Sequence, residues 1–275
     1  MKFKLPGISF KSRPTVAVLR LSGVIGHSQK FSERLSFHDL APSIEKAFNI
    51  KSLSAVALVI NSPGGSPVQS SLIADRIRTL AEEKKIPVVS FVEDIAASGG
   101  YWLACAGDDI FVNEASLIGS IGVISAGFGF VGLINKLGIE RRVYTAGERK
   151  SLLDPFKPEN PDDINRLLTI QKDLHETFKN YIRQRRGNRL ADQETAIFNG
   201  DIWSGHQALQ LGLIDGIGNV HNVMQAKFGD KTKFVSIGDK KGGLLRKLIA
   251  SRNPLNVHSW VETIEDKLYW SQYNL

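Results

Sequence analysis

The stretch PVVSFVEDIAASGGYWLACAGDDIFV, Pro87 to Val112, decides how the chain is read. It opens on an apolar run, Pro87 to Val92, that suits a buried strand. It breaks at Ala96-Ala97-Ser98-Gly99-Gly100, and an apolar helical run follows from Tyr101 to Ala106. A small polar residue between alanines and glycines, on a strand-to-helix turn, is a nucleophile arrangement. Small neighbours let the backbone turn sharply and let a substrate carbonyl come close. The helix that follows aims its first N–H groups at the turn, where an oxyanion would form. The competing reading makes Ser98 a simple helix N-cap, a position that serine favours.

The neighbouring segments repeat the pattern. Ala55 to Ile60 (AVALVI) is a second apolar run of strand character, and it ends in Asn61-Ser62-Pro63-Gly64-Gly65-Ser66. A helix is expected from about Val68 to Lys84, with Leu72, Ile73, Ile77 and Leu80 on one face. A buried strand, a glycine-rich turn and a helix thus occur twice in succession. Such alternation implies an α/β fold, with a parallel sheet and crossover helices. Both turns then lie at the carboxyl edge of the sheet, where open α/β folds build their sites.

Further out, Thr15 to Leu21 reads as a strand, about Gln29 to Ser36 as loop and Leu40 to Ala47 as a helix. Ala115 to Val123, with its small residues, reads as tightly packed turn and strand. Phe130 to Leu137 is expected as a short helix and Glu140 to Thr145 as a strand. A loop with Pro155, Pro158 and Pro161 leads into a long helix, about Asp163 to Arg185, whose basic end suits a helix C-terminus. Short helical pieces are expected over Leu190 to Phe228, and a last strand over Phe234 to Ile237.

Composition narrows the function classes. Of the 275 residues, 42% are apolar and 23% charged, ordinary for a globular α/β protein. The net charge is +7 and the sequence pI about 9.4, but lysines and arginines are dispersed and no nucleic-acid motif is present, which argues against a nucleic-acid partner. The single cysteine, Cys105, excludes an intrachain disulfide or a cysteine-based metal site. It reads as a small buried hydrophobe. No window of about 18 apolar residues exists, so no transmembrane helix is expected. The basic start MKFKLPGISFKSRP lacks the apolar core of a signal peptide. The expected location is cytoplasmic; Lys2, Lys4, Lys11 and Arg13, interleaved with Phe3, Leu5 and Phe10, and the tail bearing Leu244, Trp260 and Trp270 could make peripheral contact with the inner face of a membrane, the plain alternative being solvated ends or assembly contacts.

A hydrolase built on Ser98 needs a base. The six histidines, His27, His38, His175, His206, His221 and His258, do not lie in small-residue turns and read as surface or helix residues. A lysine can serve if burial holds it neutral, because a free lysine, with a pKa of about 10.4, is a poor base at neutral pH. Lys150, after a glycine-containing turn and before Ser151-Leu152-Leu153, is the lysine best placed to be steered inward; the plain alternative is a solvated loop residue. Pro63-Gly64-Gly65 can present backbone N–H groups to an oxyanion, or be an ordinary tight turn.

These pieces together resemble one family, the signal peptide peptidase A group of serine–lysine peptidases with its SohB-like members. The matching blocks are INSPGGS (Ile60 to Ser66), AASGGYWLACAGDDIFV (Ala96 to Val112), GSIGV (Gly119 to Val123), TAGERKSLLDPF (Thr145 to Phe156) and ALQLGLIDGIG (Ala208 to Gly218). The blocks run in order, and the match covers roughly residues 15–227. Ser98 and Lys150 stand 150 − 98 = 52 residues apart, as in single-repeat members. The resemblance implies a fold like that of Clp protease and the crotonases, and assembly into homo-oligomeric rings. It implies Ser98 as nucleophile, Lys150 as general base and Ser120 as the hydroxyl that orients the lysine. The N–H groups of Gly99 and of Gly64 or Gly65 would form the oxyanion hole. A single-repeat protomer supplies both Ser98 and Lys150. No cofactor or metal is implied, and the substrates would be peptides or unfolded segments such as signal-peptide remnants. The domain reading is a basic arm over 1–14, a peptidase domain over 15–238 and a helical tail over 239–275. Two other readings of the same fold are an acyl-thioester enzyme of crotonase type and a non-catalytic ring scaffold.

Overall fold

The computed structural model describes residues 13–27, 34–147, 149–192, 194–238, 267 and 269–273. The expected basic arm and most of the expected tail, and with them the membrane-contact residues other than Arg13 and Trp270, lie outside the described residues.

The chain alternates strand and helix from the start. β1 (Thr15–Ser22) leads to α1 (Phe37–Phe48), β2 (Leu53–Ser62), α2 (Pro67–Lys84), β3 (Val88–Ala97) and α3 (Gly99–Ala104). β4 (Asp109–Val112) and β5 (Leu117–Gly119) follow, then α4 (Val131–Lys136) and α5 (Pro161–Arg186). The last part holds α6 (Glu194–Ile197), β6 (Ile202–Ser204), α7 (Gly205–Gln210), β7 (Gly216–Ile217), α8 (Val220–Phe228) and β8 (Lys233–Ile237).

The strands join one sheet in the order β6-β5-β3-β2-β1-β8, parallel except for the antiparallel pair β5–β6. β3 forks the sheet. Its first half, Val89 to Val92, pairs with β4, and its second half, Ile95 to Ala97, pairs with β5. The fork coincides with a break in β2–β3 register between Ile60 and Ser62. The branch carrying β5 therefore leads directly to the turns at the ends of β2 and β3.

The reason β2 reads as an unbroken apolar run is that both its faces are covered. Val56, Leu58 and Ile60 join the core under α1 and α2, with Leu19, Ile44, Ile73 and Ile77. Ala55 and Ala57 face the other way, with Val16, Val89, Phe91 and Met224 of α8. α2 starts on an N-cap, Ser66, whose hydroxyl accepts from the Gln69 N–H, with Pro67 at the first helical position. Its buried face is Ser70, Ile73, Ala74, Ile77, Leu80 and Ala81; Leu72, expected on that face, is 42% exposed. Glu140 to Thr145 is not a strand but irregular and exposed; among the described residues no strand pairs with it. α5 is anchored by its second half, through Phe178, Ile182 and Arg186, while Leu168, Ile170 and Leu174 in its first half are exposed.

Candidate active site

Ser98 joins the end of β3 to the start of α3, with φ 51° and ψ −121°. A residue with a Cβ rarely adopts this backbone, which costs on the order of 1–3 kcal/mol. Three bonds hold it there. The Ser98 N–H donates to the Gly119 carbonyl at 2.8 Å, and the Ser98 carbonyl accepts from Tyr101 (3.0 Å) and Trp102 (3.1 Å). The Ser98 hydroxyl makes no capping bond. The N-cap reading therefore fails on its own terms, since a cap uses extended backbone and a side-chain oxygen. What remains is a strained elbow that presents a half-buried hydroxyl at a sheet edge.

The turn after β2 abuts this elbow. Gly64 has φ +104°, and a Cβ there would lie 2.8 Å from the Ser98 Cβ and 2.9 Å from the Gly99 nitrogen. At Gly65, with φ +136°, a Cβ would run into the Ile25 carbonyl oxygen. Only glycine permits this approach. The two turn glycines are not equivalent as donors. The Gly64 N–H is engaged by the Ser62 hydroxyl at 3.2 Å. Among the described residues the N–H groups of Gly65 and Gly99 have no acceptor. A methyl on Gly99 would stand 3.5 Å from the Gly65 nitrogen, so the two free donors adjoin.

The third turn, after β5, carries Ser120. Ser120 also lies in left-handed backbone, φ 50°, with its N–H on the Asp201 carbonyl at 2.7 Å. Its hydroxyl accepts from the Tyr273 hydroxyl at 3.2 Å, so the end of the chain reaches the site. Ser98, Ser120, Gly64, Gly65 and Gly99 are thus brought together by three adjacent turns, linked by the Ser98–Gly119 bond.

Lys150 is not drawn into this cluster. It is exposed, in a turn closed by its own N–H on the Gly147 carbonyl at 3.2 Å. Among the described residues its amine has no hydrogen bond or ion pair. The segment that bears it is a unit packed on itself. The Phe130 N–H bonds the Pro155 carbonyl at 2.6 Å, Phe130 packs on Phe156, Arg141 pairs with Asp154, and the same guanidinium sits 4.7 Å over the Phe156 ring. This unit encloses a groove of about 940 Å³ lined by Phe128, Phe130, Arg149, Ser151, Leu152 and Asp163 among others, but not by Ser98. Its outer residues Ile124 (79% exposed), Phe128 (78%) and Tyr144 (90%) face solvent.

Beneath the elbow, α3 is fully buried and pinned from below. The Tyr101 hydroxyl donates to the Leu213 carbonyl at 2.6 Å, and Trp102 is sandwiched between Phe178 and Tyr181, each 4.9 Å away. Burial pushes the Cys105 thiol up to about 11, so it is a packing group and not a second nucleophile. The basic end of α5 does more than complement a helix dipole. Arg185 donates to the carbonyls of Cys105 and Gly107, and Arg186, almost wholly buried, forks onto Asp215 at 2.7 Å and 3.1 Å. Partial burial raises the Asp215 carboxyl, but bonds from Arg186 and from the Ile110 N–H outweigh it and hold the group below its ordinary value.

Of the described histidines, His27, His38, His206 and His221 are exposed; His258 lies outside the described residues. His175 is different: its Nε2 lies 3.0 Å from the Ile121 carbonyl, in the Ser120 turn. Nothing in the local sequence marks it, because its partner is a backbone atom 54 residues away.

The model of Peptidase family S49 matches residues 81–232. The whole chain is 43% identical, over an alignment of 295 positions, to a protein named Na(+)/H(+) antiporter NhaA from Brucella abortus (strain 2308), of which it spans 40%. It is 32% identical over 213 positions to the putative signal peptide peptidase SppA of Enterococcus faecium, covering 75% of this chain and 61% of that one. The chain thus spans less than two-thirds of the length of either relative. Among solved structures, a lysine-to-alanine mutant of the 1510-N membrane-bound stomatin-specific protease, in complex with a substrate peptide, superposes with a TM-score of 0.51 over 87% of this chain and 98% of that one. At 17% identity this shows a shared α/β fold.

Proposed function

The chain belongs to peptidase family S49, and from that premise we propose that it is a serine endopeptidase with Ser98 as nucleophile and Lys150 as general base. The observation that carries this reading is the elbow at Ser98. Strain is retained there for a hydroxyl that makes no capping bond, beside two N–H groups that lack an acceptor among the described residues.

The chemistry follows from these atoms. Lys150 Nζ takes the hydroxyl proton as Ser98 Oγ bonds to the scissile carbonyl carbon. The developing oxyanion is received by the N–H groups of Gly65 and Gly99, the donors left free, while the Gly64 N–H stays with Ser62. The amine leaves with the proton carried by Lys150. A water then loses its proton to Lys150, attacks the acyl group, and Ser98 Oγ regains its proton as the acid departs. Ser120 would orient the lysine amine. The substrates proposed are extended peptides or unfolded segments, such as signal-peptide remnants.

Because Lys150 is exposed on a self-packed arm with apolar outer residues, we infer that copies of this chain assemble and that the arm delivers its lysine in the assembly. Burial against an apolar neighbour is what lets a lysine amine act as a base. Among the described residues no helix is long and apolar enough to cross a membrane.

The test is hydrolysis of casein or a peptide by Ser98→Ala and Lys150→Ala. Both should lose activity; full activity in either rejects the assignment. Mixing the two inactive variants then reports on delivery. Recovered activity places the dyad across two copies, and none places it within one.

A further inference from the structure

The turn Gly119 to Gly122 takes its bonds from several elements. The Gly119 carbonyl accepts the N–H of Ser98 itself, the Ser120 N–H donates to Asp201, and the Gly122 N–H closes back on the Ser120 carbonyl at 3.0 Å. The one side chain bonded to this turn's backbone, among the described residues, is His175, with Nε2 3.0 Å from the Ile121 carbonyl. A carbonyl only accepts, so Nε2 carries the hydrogen.

His175 lies on α5 at a boundary. Ahead of it Leu168, Ile170 and Leu174 are exposed; behind it Phe178 and Ile182 are buried, and Phe178 stacks on Trp102 of α3. The helix is therefore already docked without His175. Ile121 is likewise fully buried through its own side chain. The bond between them adds little to the fold but fixes how the Ser120 turn sits against α5. Because the Ser98 N–H hangs from that turn, its placement is felt at the nucleophile as well.

We propose that His175 is a positioning residue for acylation. It holds the Ser120 turn so that the Ser120 hydroxyl and the Ser98 backbone keep their reactive geometry, and it links them to the helix whose exposed face would meet a neighbouring copy. The inference rests on the peptidase reading above. Neither residue in the bond is a reacting group, so substrate affinity is not its target.

Its test uses the full chain. Fluorophosphonate labelling of Ser98 and peptide hydrolysis are compared for the unsubstituted protein, His175→Ala and His175→Gln, with thermal midpoint and solution mass alongside. His175→Ala should lower the labelling rate and kcat about five- to tenfold, the size expected for one hydrogen bond, with KM and solution mass unchanged. His175→Gln, whose amide nitrogen reaches where Nε2 stands, should restore the rate to within about twofold. Equal rates in all three overturn the proposal, as do equal losses in Ala and Gln, or a loss that follows dissociation or unfolding. If the unsubstituted chain takes no label at Ser98, the peptidase reading itself fails and this inference falls with it.

Discussion

Replacing Ser98 by glycine should make the protein more stable than replacing it by alanine, although both variants are inactive. The backbone at φ 51° and ψ −121° suits a residue without a Cβ. Alanine keeps the Cβ and so keeps the strain, about 2 kcal/mol at the middle of the usual range. Glycine removes it. Against this, glycine frees the unfolded chain by about 0.7 kcal/mol. Losing a half-buried Cβ that packs on Gly64 costs a further ~0.4 kcal/mol. A net gain of about 1 kcal/mol remains, or about 2–4 °C in the unfolding midpoint for a domain of this size. Calorimetry of the two variants at one protein concentration measures it, with assembly held constant. Since neither cleaves itself, autolysis does not confound the comparison. A Ser98→Gly midpoint at or below that of Ser98→Ala refutes the claim that strain is stored at this residue.

Two further outcomes follow from other contacts. Asp215→Asn leaves the buried Arg186 without its counter-charge and should destabilise the fold by about 3–5 kcal/mol at pH 7. Because the folded carboxyl is held low, that contribution is complete above about pH 4 and fades as pH falls through the folded value, so urea titrations of parent and variant should converge in acid; a pH-independent gap contradicts it. Tyr273→Phe frees the Ser120 hydroxyl from its partner in the tail and should raise the initial rate of peptide hydrolysis about two- to fivefold, whereas a fall in rate would show that Tyr273 supports the site.

The parts of this fold that could be read in advance are those where local chemistry and burial agree. The runs 55–60 and 88–92 are apolar because they are covered on both faces, and the glycines that end them mark close approach of two turns. Ser98 stood out for the same reason: small residues crowd where backbones meet. Expectation failed where the deciding partner is remote or absent. Residues 140–145 have β-rich chemistry but, among the described residues, no strand to pair with. Leu72 keeps helical spacing yet faces solvent. The bond that engages the Gly64 N–H comes from Ser62, and the contact of His175 is with a carbonyl of a distant turn; neither is marked in the local sequence. Such contacts are set by tertiary geometry, which periodicity does not encode. Lys150 is the intermediate case: its motif is legible, but its side chain lies in solvent.

The most direct measurement is to react the full-length protein with a fluorophosphonate and locate the adduct by mass after digestion. The adduct should sit on the Ser98 oxygen, vanish in Ser98→Ala and form far more slowly in Lys150→Ala. An adduct on a different serine, or labelling that persists without the residue-98 hydroxyl, would contradict the account.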